Sequence, residues 1–320
     1  MKRFIAFILI FILLTTLLSG CSQTEKSNDG KLNIVCTIFP QYDWVRQILG
    51  DKTDGVNLTF LLNNRVDLHN YQPSADDIIK ISSCDLFIYV GGESDKWAND
   101  ILKDTTNKNM CVINLLDTLG MAAKSEEVIE GMENVENDED EADYDEHVWL
   151  SLKNAQTFCA VIADALSSLD KNNAAEYKNN LDLYIEKLVK LDSDYQTAVN
   201  AASVKTLLFG DRFPFRYLVD DYGLKYHAAF AGCSAETEAS FNTIIFLANK
   251  ADELNLKNIM VTESSNKKIA ETIISNTSNK NQQILVMDAM QSVTSADVQK
   301  GTTYLSIMEN NLNVLKEALK

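Results

Sequence analysis

From Leu32 onward the chain alternates short apolar runs with stretches of helical spacing. Leu32 to Phe39 is apolar and β-branched and predicts a buried strand. Pro40 closes it, and Val45, Ile48 and Leu49 predict a helix over 42–49. Further strands are predicted at 57–62, 85–90 and 110–116. Ser74 predicts a helix N-cap, with Asp76 and Asp77 in the first turn. From Ser151 to about Asn200 the spacing is helical and contains neither Gly nor Pro; Tyr177, Leu181, Tyr184, Leu188, Leu191 and Tyr195 recur at three or four. A second series follows, with strands at 204–209, 225–230, 258–262 and 283–287. Its helices end at Tyr222 (Gly223 as C-cap) and cover 239–254, 269–275 and 304–319. Strands alternating with helices predict an α/β protein built on parallel sheets, with ligands gathering at the carboxyl ends of the strands. A helix of about 25 residues is close to 40 Å long, which suits a rigid span between two lobes.

The chain start is of another kind. Lys2 and Arg3 precede an apolar run from Phe4 to Leu18 that is too short to span a bilayer stably, so it reads as a signal peptide. Leu18-Ser19-Gly20-Cys21 resembles the bacterial lipobox, whose cleavage leaves Cys21 as a lipidated N-terminus. The expected organisation is a signal peptide at 1–20, lipidated Cys21 and a polar tether at 21–31, and an N-terminal α/β lobe at 32–165. A linking helix at 166–200 and a C-terminal α/β lobe at 201–320 complete it.

Charge narrows the function. The formal net charge is −17, and loss of Lys2 and Arg3 with the signal peptide takes it to −19. Such a chain is not expected to bind nucleic acid or anionic membrane, whereas it concentrates cations around itself. Between Glu126 and Glu146 there are twelve Asp or Glu and no Lys, Arg or His, which predicts a solvated loop. That run ends at His147, one of three histidines. After removal of the signal peptide and apart from Cys21, five irregularly spaced cysteines remain, with no CxxC pattern and no disulfide framework.

Histidine and carboxylate together form the ligand set of a divalent metal. Predicted strand-end loops offer His69 and His147 in the first half and Asp211 and Asp288 in the second. Two nitrogens and two carboxylates meeting in a cleft would hold zinc tetrahedrally, and manganese accepts the same set. Each residue also has a plainer reading: a satisfied loop histidine at 69, turn caps at 211 and 288, and a packed strand histidine at His227. An enzyme reading, a metallohydrolase with Glu146 or Glu236 as base, lacks an HExxH motif or a two-metal carboxylate cluster. A lipid-anchored adhesin is the remaining alternative.

Several motifs occur in a telling order: the lipobox, Pro40-Gln41-Tyr42-Asp43, His69-Asn70-Tyr71-Gln72-Pro73-Ser74, His147-Val148-Trp149-Leu150, one long helix and a second lobe. This order resembles the metal-binding lipoproteins of zinc and manganese ABC importers over nearly the whole mature chain. The resemblance implies two lobes joined by one rigid helix, zinc or manganese as transported ligand, and a partner permease with its ATPase. It implies a lipid-anchored monomer outside the cytoplasm and no catalysis. It makes His69 and His147 the first two ligands and Asp288 the last. The third ligand departs from the family: the frame Phe215-Arg216-Tyr217 and Tyr222-Gly223-Leu224 puts Arg212 at its position. Asp211 is the nearest donor and His227 the fallback, while Glu236, Glu238 and Glu263 match no ligand. Zinc is chosen over manganese on the acidic loop and the Asp-x-His-Val-Trp-Leu context.

Overall fold

The computed structural model describes residues 30–133, 144–234 and 238–320. Cys21, the central part of the acidic run and Glu236 lie outside the described residues. Two four-stranded sheets carry the fold. The first contains β1 (Leu32–Cys36), β2 (Val56–Phe60), β3 (Leu86–Tyr89) and β4 (Cys111–Asn114), in the order β2-β1-β3-β4. The second contains β5 (Thr206–Phe213), β6 (Lys225–Ala231), β7 (Asn258–Thr262) and β8 (Gln283–Met287), in the order β6-β5-β7-β8. All pairings are parallel. In each sheet the first strand lies between the second and third, so the chain reverses its direction of winding there and opens a crevice at the carboxyl ends.

The near-continuous apolar strands follow from burial on both faces. Ile34, Cys36, Leu86 and Ile88 face the main core, whereas Val35, Phe87 and Tyr89 pack on the other side with Ile81 and Ala98. Helices cover the sheets: α1 (Phe39–Leu49), α2 (Ala75–Ser83) and α3 (Lys96–Lys103) in the first half, then α4 (Leu152–Leu169) and α5 (Ala174–Ala201). The second half adds α6 (Arg216–Tyr222), α7 (Phe241–Glu253), α8 (Lys268–Asn276) and α9 (Tyr304–Ala318). α5 has 28 residues and buries Tyr177, Tyr184, Leu188, Leu191, Tyr195 and Val199. Asn180 donates to the Ile48 carbonyl of α1 (3.0 Å), Asp192 accepts from Tyr222 of α6 (2.8 Å), and Tyr195 donates to the Met308 carbonyl of α9 (2.6 Å). The main core holds residues of both sheets and of α5 together.

Three local departures from the pattern have physical causes. α1 begins at Phe39 and takes Pro40 into its first turn, where no intrahelical N–H bond is lost. Helical spacing breaks at 170–173 without Gly or Pro, because the Asp170 carboxylate accepts from Asn173 (2.6 Å) and Tyr177 (2.8 Å). β5 continues through Gly210 to Phe213 across a register shift between Phe209 and Arg212. Gly210 is there because α8 crosses against it: a Cβ would stand 2.7 Å from the Ala270 Cα.

Candidate metal centre

His69 is set by the loop after β2. Leu68–Asn70 forms one 3-10 turn in which the Asp67 side chain accepts the His69 N–H (3.1 Å) and Leu68 is buried as an anchor. The loop after β3 supplies the partner of the ring. Gly91 and Gly92 adopt positive φ (+91° and +79°), and the buried Asp95 carboxylate accepts the N–H groups of Val90 (2.8 Å) and Gly91 (3.1 Å). Burial pushes Asp95 up to about 7. A Cβ on Gly92 would collide with the Glu146 carboxylate, so glycine lets Glu146 accept the Ser94 N–H at 2.8 Å. Ser94 Oγ then lies 2.7 Å from His69 Nδ1, with Glu146 Oε2 at 3.4 Å.

His147 is wholly buried. Asp145 Oδ1 accepts both its backbone N–H and the proton on its Nδ1, each at 2.9 Å. The next three residues, Val148–Leu150, are one buried 3-10 turn wedged against the second sheet. Trp149 Nε1 donates to the Ala289 carbonyl (2.9 Å), and the Tyr304 hydroxyl donates to the Trp149 carbonyl (2.7 Å). The expectation of a solvated acidic loop therefore fails at its ends. Asp145 and Glu146 are buried, and Glu126 is partly so, because these carboxylates satisfy N–H groups around the histidines.

The two imidazoles meet Nε2 to Nε2 at 3.3 Å. With its amide nitrogen turned towards Asp67 (3.0 and 3.1 Å), Gln291 directs its oxygen at His147 Nε2, 2.8 Å away. Burial and the neighbouring His147 push His69 down to about 4, so it stays neutral. Burial opposes charge on His147 as well, but the hydrogen bond and charge of Asp145, with Glu146 and Glu126, outweigh it and raise its pKa above 6.5. With Nδ1–H given to Asp145, a proton on His147 Nε2 would be donated to the Gln291 oxygen and the His69 ring. That proton occupies the place a cation would take, and fixing each Nδ1 aims each Nε2 at it.

The four expected ligands separate into two pairs. His69 and His147 come together; Asp211 and Asp288 do not join them. Asp211 is not in a strand-end loop but within β5, at its irregularity, where its carboxylate accepts the N–H (2.9 Å) and hydroxyl (2.7 Å) of Thr262 and the Arg212 N–H (2.8 Å). Asp288 accepts the Met290 N–H (2.7 Å); burial and the adjoining Glu263 raise it to about 7. His227 packs its ring edge-on to Phe246, 5.8 Å between centroids. Arg212, which the resemblance puts at the position of the third ligand, binds Asp67 at 2.7 Å and so clasps the two halves together. Among the described residues, the group with donor atoms within 4.8 Å of one another is His69, His147 and Cys233. The sequence reading missed Ser94, Gln291 and Cys233. Only Cys233 carried a usable signal, a soft donor directly after a strand and a glycine.

The ZnuA family model, described as zinc-uptake complex component A, periplasmic, matches residues 34–318. The zinc-binding lipoprotein AdcA of Streptococcus pneumoniae is 30% identical over 310 residues, covering 97% of this chain and 60% of the relative. This chain thus spans about 60% of the length of that relative. The high-affinity zinc uptake system protein ZnuA of Bacillus subtilis is 31% identical over 303 residues, covering 94% of this chain and 92% of the relative. Among solved structures, the metal-dependent lipoprotein YcdH of B. subtilis aligns with a TM-score of 0.73 at 29% identity, over 90% of this chain and 99% of the other. The Zn(II)-bound ZnuA-like domain of S. pneumoniae AdcA aligns with a TM-score of 0.70 at 29% identity, over 91% and 99%.

Proposed function

Since this chain belongs to the family of periplasmic zinc-uptake component A proteins, we propose that it captures a zinc ion between its two sheets and hands it to an ABC permease driven by an ATPase. The family consists of binding components for transport rather than enzymes. The observation that carries the reading is the facing pair of Nε2 atoms, 3.3 Å apart, each ring held at Nδ1 by a partner of its own. Zinc takes both nitrogens in place of any proton between them, at the usual Zn–N distances of about 2.0–2.1 Å. Zinc is preferred to manganese because the relatives carry zinc in their names and one aligned domain is Zn(II)-bound.

Residues 32–165 and 201–320 act as the two lobes, with the linking helix between them as a rigid span. Cys21 carries the lipid that keeps this monomer at the outer face of the cytoplasmic membrane. Asp211 and Asp288 are left out of the ligand set, because the group of donor atoms that includes both histidines is completed, among the described residues, by Cys233.

The test is calorimetric titration of the metal-stripped chain with zinc and manganese, on wild type, His69→Ala and His147→Ala. Capture predicts one zinc per chain at nanomolar strength and a loss of at least about a hundredfold in either variant. Wild-type binding no tighter than micromolar for both metals, or a His147→Ala variant that binds as wild type does, overturns it.

A further inference from the structure

We propose that Cys233 is the third protein ligand of the captured metal, and that its thiolate makes the site select thiophilic cations such as zinc over manganese. The inference rests on the capture reading above and concerns the composition of that same site. Cys233 follows β6, and its sulfur lies within 4.8 Å of the donor nitrogens of both His69 and His147. Zn–S bonds of about 2.3 Å and Zn–N bonds of about 2.0–2.1 Å put neighbouring donors of a tetrahedral ion well under 4 Å apart, so only a small closure is required.

The local backbone is built to bring this sulfur in. At Gly232 an added Cβ would stand 3.1 Å from Nδ1 and Cε1 of His147 and 2.9 Å from the Phe213 carbonyl oxygen; glycine alone lets the strand end pass against the ligand ring. The Cys233 N–H is tied to Glu126 Oε1 at 2.7 Å, and the Cys233 side chain hydrogen-bonds the same carboxylate. Glu126 is also the proton acceptor the step needs. The thiol S–H bond breaks, its electron pair forms the sulfur–metal bond, and the proton passes to the Glu126 carboxylate and on to solvent. None of the five described cysteines is in a disulfide, so the sulfur is available.

Two nitrogens and one thiolate leave a fourth position open on a tetrahedral ion. The set suits a borderline-soft d10 cation and suits manganese poorly.

Cobalt(II) is the probe, added in one equivalent to the metal-stripped full chain. An intense near-ultraviolet sulfur-to-cobalt charge-transfer band, together with tetrahedral visible bands, is expected in wild type. Cys233→Ser should lose the near-ultraviolet band, keep a weaker visible spectrum through the histidines, and bind zinc about tenfold or more weakly, the least expected when outer-shell changes already cost 10–100-fold. Its preference for zinc over manganese should narrow as well. If the variant does not fold, the wild-type chain still answers: zinc must protect Cys233 from alkylation, read by peptide mass spectrometry. Cobalt bound to wild type without the charge-transfer band, or Cys233 alkylated equally fast with and without zinc, overturns the ligand assignment while capture stands. Absence of both cobalt and zinc binding in wild type overturns capture itself, and this inference with it.

Discussion

At the scale of single residues, the site is governed by which imidazole carries a proton. His147 has its folded pKa raised above 6.5, so its charged form contributes stability that is complete below the unfolded value and is lost as pH rises through the folded one. His69, pushed down to about 4, behaves in the opposite sense: its contribution is present above the unfolded value of 6.5 and is lost as pH falls towards 4. For metal capture the His147 proton competes over the mildly acidic range, and so does the Cys233 thiol proton where the sulfur is a ligand. Zinc affinity is therefore expected to fall as pH drops below the pKa of His147, by about tenfold per pH unit for that one proton, measured by competition with a chelator of known pH dependence. A flat profile would mean that His147 is not a ligand. The partner of that ring is testable separately. Asp145→Asn keeps the shape, removes the charge that orients Nδ1–H, and should weaken zinc binding about 10–100-fold without unfolding the chain. The two histidines were legible in the sequence because each stands in its own motif, His69 after a strand and His147 before a buried apolar turn. Asp211 was expected in a strand-end loop because Gly210 resembles a turn signal. That glycine instead answers to the helix lying on it, and the strand carries Asp211 to Thr262.

Among the elements, α5 and the Val148–Leu150 turn hold the halves in register. The buried face of α5 was written in its three-four spacing, and β7 and β8 lie where short apolar runs predicted them. Leu188 is wholly buried in the main core, so Leu188→Ala should cost about 2–5 kcal/mol, read from chemical denaturation. Trp149→Phe keeps most of the apolar volume and strands the Ala289 carbonyl, a loss of about 1–3 kcal/mol. The two substitutions differ in their effect on the metal centre. The Trp149 change lies two residues from His147 and should also weaken zinc binding, whereas the Leu188 change should leave the affinity of the folded protein unaltered. The helix N-cap at Ser74 was equally legible; its hydroxyl accepts the Asp77 N–H and the Asp77 carboxylate answers in return.

Over the whole molecule, one core runs through both sheets and α5. Thermal unfolding of the metal-free chain should accordingly be a single transition reported alike by tryptophan fluorescence and circular dichroism. Zinc at about a thousand times its dissociation constant should add about 4 kcal/mol. Two well-separated transitions would show that the lobes unfold independently. The Arg212–Asp67 clasp and the pairing of Asn64 with Thr294 tie the loops of one sheet to those of the other, so the proposed capture and release are expected to need only small displacements. The charge of −17 acts at longer range: it should speed zinc association, and the rate should fall as salt is raised while the bound complex changes little.

The sequence by itself determined the α/β class, the alternation of strands and helices, the long helix, the acidic character and the two histidines. All of these follow from local spacing or from residue chemistry that neighbours along the chain do not alter. The tertiary structure alone decided which side chains stand beside the two histidines. Cys233 reaches His69 across 164 positions of sequence because the carboxyl ends of two separate sheets face each other. Asp211 and Asp288 stand outside the group of His69, His147 and Cys233, because buried N–H groups demand acceptors wherever the fold leaves them and these two carboxylates meet that demand at Thr262 and Met290.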